Sequence, residues 1–249
     1  MNLDTSHRAY PPPRTGPVMR MRWNALAFLH WEYDAAALAR LLPEGLALDT
    51  FEGRAYLGVV PFEMDRTRFR FAPPMPTATR FPELNVRTYV TSEGKPGVWF
   101  FSLDAASKLA VRGARATFHL PYFDARMSLQ RPHVDAGWTE YASARVHRGA
   151  PAATFAGRYR PLGPVAPAAP GTLEHFLTER YCLYARAPRG LTRGEIHHAP
   201  WPLRPGEAEL ESCDMTRLVG APLEGPPSLV HVADPIDVVA WWPSRVGRR

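Results

Sequence analysis

The sequence predicts a β-rich α+β fold, a mainly antiparallel barrel or open sandwich with a few short peripheral helices. Three observations carry that prediction. Short apolar or alternating runs recur along nearly the whole chain. Turns rich in Gly and Pro separate them, drawn from 18 Gly and 27 Pro. Only three segments combine helical spacing with a capping residue ahead of them. No internal repeat is visible, and the Pro/Gly connectors are too short and too evenly spread to divide the chain. The expected organisation is therefore a loose N-terminal arm over residues 1–19 and a single domain over residues 20–245. A chain of 249 residues is within the size of one large all-β domain.

The arm holds Pro11-Pro12-Pro13 and little apolar content, which suits a loose arm or a strap over the surface. From Met21 onward, Trp23, Ala25, Ala27, Leu29 and Trp31 alternate with Asn24, Leu26, Phe28 and His30, as in a strand covered on both faces. Asp34 caps a helix over residues 35–42, which Pro43 and Gly45 stop. Leu46, Leu48 and Thr50 alternate into a turn at Glu52-Gly53. Residues 55–62 (AYLGVVPF) return from it, with Gly58 and Pro61 marking an expected bulge or bend. Residues 69–82 are proline-rich without a period and read as a long loop of the kind that covers sites. Asp104 or Ser107 caps a helix to about Phe118. Residues 127–129, 138–146 and 154–160 read as strands, and a Pro/Ala connector follows over 163–171. Thr172 caps a helix over 173–180. Residues 181–185 and 191–198 pair about Pro188-Arg189-Gly190, and 207–212, 229–233 and 238–242 complete the chain as short strands.

The central stretch is residues 83–90, ELNVRTYV. On a strand it puts Glu83, Asn85, Arg87 and Tyr89 on one face and Leu84, Val86, Thr88 and Val90 on the other. After a turn over residues 92–97 comes 98–103, VWFFSL, apolar nearly throughout, so the hairpin is expected to be buried on both faces. A polar row in such a place needs protein partners or a ligand.

Composition narrows the function. Hydrophobic residues at 45% and charged residues at 22% are those of a folded globular chain rather than a disordered one. The net charge of +6 invites nucleic acid, yet the arginines are scattered with no dense run apart from the C-terminal pair, so no nucleic-acid partner is expected. Cys182 and Cys213 fit no metal or redox spacing. The sequence has no apolar leader and no run of about 18 apolar residues, so a cytoplasmic protein without a membrane partner is expected. No phosphate loop, dinucleotide fingerprint or nucleophile elbow is present, and no cofactor is expected. A homo-oligomer through an exposed strand edge is left open.

Several segments in fixed order give the chain a likeness. Leu41-Leu42-Pro43, Val60-Pro61-Phe62, the ELNVRTYV and WFFSLD strands, Leu120-Pro121-Tyr122, Arg180-Tyr181 and His198-Ala199-Pro200-Trp201 together resemble the uncharacterised YqjF-like conserved family, over about residues 20–203. That family is similar to the acetoacetate decarboxylase-like fold, a β-barrel enclosing a small-molecule cavity. The resemblance implies an acidic pocket position at Glu83. It also aligns Gly113-Ala114-Arg115 and Pro121 with the segment in which the decarboxylases carry two lysines, the first forming a Schiff base; here Tyr122 and Phe123 stand in those places.

An imine needs an amine whose pKa is lowered. Tyr122 cannot supply one, Lys95 sits in a turn and Lys108 early in a helix, so acetoacetate decarboxylase activity is not expected. The candidate chemistry is Glu83 as proton shuttle, Tyr122 as phenolic acid or hydrogen-bond donor, and Arg87 as a carboxylate anchor, with Asn85 and Tyr89 on the same face. The competing reading is a buried structural network in which Arg87 pairs with Glu83 or Asp104, aromatic side chains such as Trp99, Phe101 and Tyr122 fill the space, and the protein is a non-catalytic binder or structural protein. His197 and His198 adjoin each other, so on a strand they point to opposite faces and no metal site is expected.

Overall fold

The alternation of residues 83–90 becomes, in space, a wall with a core on either side. The computed structural model describes residues 4–70, 79–131, 137–220 and 222–247. In chain order these form β1 (Met19–Asn24), β2 (Leu26–Tyr33), α1 (Ala35–Arg40), β3 (Ala47–Leu48), β4 (Ala55–Phe69), β5 (Phe81–Ser92) and β6 (Lys95–Ala105). There follow α2 (Lys108–Thr117), β7 (Tyr122–Gln130), β8 (Thr139–Arg145), β9 (Thr154–Pro161), α3 (Leu173–Thr178), β10 (Cys182–Ala187) and β11 (Gly190–His197). The chain ends through β12 (Leu203–Cys213), a 3-10 turn (Met215–Val219), β13 (Leu229–Ala233), β14 (Ile236–Ala240) and β15 (Ser244–Arg245). The three expected helix caps are made: Asp34, Ser107 and Thr172 accept from the backbone of Ala37, Ala110 and His175. Residues 71–78 of the expected proline-rich loop lie outside the described residues.

Strand pairing is antiparallel except where β6 meets β10 and β7. The pairings run in two circuits that return to their start. One passes β1-β14-β11-β10-β6-β5-β4 and back to β1; the other passes β2-β13-β12-β9-β8-β7-β6-β5-β4 and back to β2. Both share β4, β5 and β6. Period-two alternation then sorts side chains between two cores. Leu57, Val59, Leu84 and Val86 join Tyr141, Phe155 and Tyr159 in one; Val60, Phe62 and Tyr89 join Phe28, Phe100 and Trp201 in the other. β5 is thus covered on both faces, as expected from its apolar hairpin partner.

Three expectations change. The β5–β6 turn spans only Glu93 and Gly94, both at positive φ, because Ser92 pairs with Lys95. β4 continues past Phe62 to Phe69, since its far half pairs with β1. Its register with β5 runs unbroken from Leu57 to Met64, so Gly58 makes no bulge there. Instead Gly58 lies directly across from His30 on one side and Arg87 on the other, and a Cβ there would sit 3.2 Å from the His30 ring. The segment before β1 is anchored at Arg8, which is buried, donates to the Ile196 carbonyl at 2.6 Å and pairs with Glu195.

Candidate functional site

A cavity of about 190 Å³ lies in the core of the first circuit. β5 gives it Glu83, Asn85 and Arg87; β1, β2 and β4 give it Trp23, Phe28 and Phe62; one face of α2 gives it Leu109, Ala110 and Ala114; and Tyr122 opens β7 on its rim. The wall is mostly apolar, so its polar groups stand in a medium that penalises charge.

Glu83 is 2% exposed and its Oε2 accepts from the Tyr122 hydroxyl at 3.0 Å. Burial pushes its carboxyl up to about 8; the tyrosine hydrogen bond opposes this and the Asp104 charge adds to it. Tyr122 is likewise held well above the usual phenol range, first by burial and then by Glu83. At neutral pH this is a protonated acid beside a neutral phenol, both able to donate. Among the described residues Glu83 Oε1 has no hydrogen-bond partner.

Arg87 pairs with neither Glu83 nor Asp104. Four residues along a strand separate the Cα atoms of Glu83 and Arg87 by about 13 Å. Arg87 reaches the other way, donating from Nη2 to the Leu177 carbonyl at 3.3 Å with its guanidinium 5.1 Å from the Phe28 ring centre. Its Nε and the Oδ1 of Asn85 are buried without partners, and the Tyr89 hydroxyl beside the guanidinium feels both its charge and its hydrogen bonding. Asp104 is already taken by Arg145, through Nε at 2.7 Å and Nη2 at 2.6 Å.

Tyr89, expected on the same row, is set apart from the cavity lining. Its hydroxyl is 2.6 Å from Nε2 of His30, a fully buried imidazole that burial holds well below its usual range. Trp99 and Phe101 do not fill the cavity either. A bulge after Val86/Ser102 re-aims β6, so Phe101 packs against the other core and Trp99 against a third cluster with Val90, Cys182 and Tyr184.

Three lining residues came from the sequence likeness without being given a role: Arg180, His198 and Trp201. Their signal was the Arg-Tyr and His-Ala-Pro-Trp segments. Nδ1 of His198 donates to the Ala199 carbonyl at 2.7 Å, which leaves Nε2 as a buried acceptor without a partner. Burial lowers this imidazole to about 3, so it is neutral. Arg180 is committed to Asp49 and the Phe176 carbonyl. Neither lysine lines the cavity; Lys95 pairs with Glu195 at 3.3 Å. Among the described residues no cluster of three His, Cys, Asp or Glu is placed to hold a metal, and no helix is long and apolar enough to cross a membrane.

The family model DUF2071, described as an uncharacterized conserved protein, matches residues 20–237. The chain is 43% identical over 224 residues to the uncharacterized protein YqjF of Bacillus subtilis (strain 168), covering 90% of each. It is similar in fold to the enduracididine biosynthesis enzyme MppR complexed with pyruvate, with a TM-score of 0.63 and 14% identity over 92% of this chain and 90% of that one. Acetoacetate decarboxylase from Legionella pneumophila matches with a TM-score of 0.60 and 15% identity over 97% and 94% of the two chains. Both parts of the sequence likeness, to YqjF and to the acetoacetate decarboxylase-like fold, are met. At 14 and 15% identity the structural likeness is one of fold alone.

Proposed function

The chain belongs to the DUF2071 family, and from that premise we propose that it binds a small carboxylate or carbonyl compound inside a β-barrel and moves a proton there through Glu83, with no lysine imine. The two closed circuits of pairing support the barrel reading, with the cavity inside the smaller circuit. One observation carries the functional reading: the polar row of β5 is buried and left open. Asn85 Oδ1 and Arg87 Nε are buried without a protein partner among the described residues, and unpaired polar groups in such a site are costly unless a ligand completes them.

Each group has a role in this reading. Arg87 and Asn85 present neighbouring donors that fit a carboxylate. Glu83 keeps its proton to about pH 8, so it can donate to a carbonyl oxygen and take a proton back, while the Tyr122 hydroxyl orients it. A cytoplasmic location accords with the two unpaired cysteines.

A thermal-shift screen of small carboxylates on the wild type and on Arg87→Ala tests the anchor. Carboxylates should raise the wild-type Tm and leave the variant unmoved; equal shifts in both, or none in either, would defeat the reading. Borohydride treatment with keto acids should yield no adduct on Lys95 or Lys108. The second reading, a non-catalytic binder, is favoured by Tyr122 in the position of the decarboxylase lysine. Solvent deuterium entering a bound carbonyl compound in the wild type but not in Glu83→Gln would exclude it.

A further inference from the structure

The aromatic wall beside the polar row limits what the carboxylate can be attached to. Trp23 and Trp201 stack with ring centres 5.7 Å apart, and Phe28 meets Trp201 edge-on at 5.0 Å. Phe62 packs edge-on against Trp23 at 5.6 Å, and Met21 and Met64 complete this side of the cavity. These side chains hold one another in place, so the apolar chamber is built before any ligand arrives. Its size is informative: an engineered protein cavity of about 150 Å³ accepts one benzene ring. At about 190 Å³ this one has room for a ring and two or three further heavy atoms.

We propose that the ligand is a monocarboxylate carrying an apolar, ring-sized body, of the arylcarboxylate or at most the arylacetate kind, with its carboxylate on Arg87 and Asn85 and its body against Phe28 and Trp201. This inference rests on the reading of Arg87 as the anchor and adds the substrate class. Acetate or acetoacetate would reach Arg87 but leave most of the aromatic wall uncovered. A dicarboxylate would bring its second charge against apolar side chains: of the other arginines on the lining, Arg180 is held by Asp49 and Arg68 is exposed on the far half of β4.

Isothermal titration of the full chain at pH 6.5 with phenylacetate, acetate and phenylacetamide tests this. Phenylacetate should bind at least about tenfold more tightly than acetate, from burial of the ring, and more tightly than the uncharged amide. Arg87→Met should bring phenylacetate down to the level of the amide. Ala114→Phe, which fills the chamber from α2 and does not touch the anchor, should weaken phenylacetate tenfold or more and leave acetate within about twofold. Acetate binding as tightly as phenylacetate, with loss in Arg87→Met, would overturn the ring-bodied class and leave the anchor intact. Phenylacetamide matching phenylacetate, or no binding by any of the three, would overturn both. If Arg87→Met does not fold, the Ala114→Phe result and the acid/amide comparison decide alone.

Discussion

The protein buries two arginines beside the same hairpin and treats them in opposite ways. Arg145 on β8 grips Asp104 on β6 with two short hydrogen bonds, both side chains wholly out of solvent, and its guanidinium lies 4.2 Å from the Phe123 ring centre. Arg87 on β5 is nearly as buried, yet among the described residues it has no carboxylate partner. The Arg145 pair is closed on the fold, although Nη1 of Arg145 is itself buried without a partner. An open arginine, supported only by a carbonyl and ring faces, is either a cost the fold tolerates or a site awaiting an anion.

The sharpest way to break this comparison is one substitution made at both places. Arg145→Met should destabilise the chain by about 3–5 kcal/mol in urea unfolding, because it leaves the Asp104 carboxylate buried without its partner. Adding Asp104→Leu should restore most of that loss. A cost below about 1 kcal/mol for the single change would mean that the pair is not the structural element described.

Next in size is the pH response of Glu83. Folded, it holds its proton to about pH 8, whereas its ordinary value is 4.5. Between those values the folded chain binds the extra proton. This contribution to stability is therefore full below about pH 4.5 and is lost as pH rises through about 8, with a slope of up to about 1.4 kcal/mol per pH unit. Glu83→Gln removes the dependence, so its stability should gain on the wild type from pH 6.5 to 8.5. His198 and His30, held neutral by burial, change in the opposite sense at lower pH and cancel in the difference. A constant difference across that range would show that Glu83 is ionised in the fold.

How much of this the sequence disclosed depends on the range of the interaction. The β5 row was legible because a strand has period two, and the helix starts were legible because Asp34, Ser107 and Thr172 act on backbone three residues away. The partners of the row were not. Asp104 meets an arginine 41 residues on and Tyr89 a histidine 59 residues back, and no local spacing encodes such pairings. His198 and Trp201 turn into the cavity just after β11, visible beforehand only as a segment of the family likeness. Gly58 looked like a bulge because glycine in a strand usually marks one. Its reason lies on neighbouring strands, where it clears room for His30 and for the stem of Arg87.

Gly58 therefore sharpens the comparison from below. Gly58→Ala places a methyl 3.2 Å from the His30 ring and 3.4 Å from Cγ of Arg87. The expected cost is about 1–2 kcal/mol of crowding, partly offset by the strand's gain in losing a glycine. Ligand affinity should fall together with stability, because the methyl that presses the His30 ring also meets the stem of the anchor. Full affinity at reduced stability would separate Arg87 from the site.

The smallest stability effect should come from the residue on which the function rests. Arg87→Met puts a thioether where the guanidinium lies over Phe28 and removes a charge that has no counter-ion among the described residues, so unfolding should change by less than about 1 kcal/mol, with stabilisation as acceptable as loss. One hydrogen bond to the Leu177 carbonyl is given up, and a desolvated charge is given up with it. Set beside Arg145→Met, the same substitution in the arginine of the closed pair, this is a direct measurement of what each is for. If both variants lose several kcal/mol, Arg87 is a second structural cation and the cavity has no anchor. If only Arg145→Met does, and Arg87→Met loses carboxylate binding at near wild-type stability, the fold carries Arg87 for its ligand.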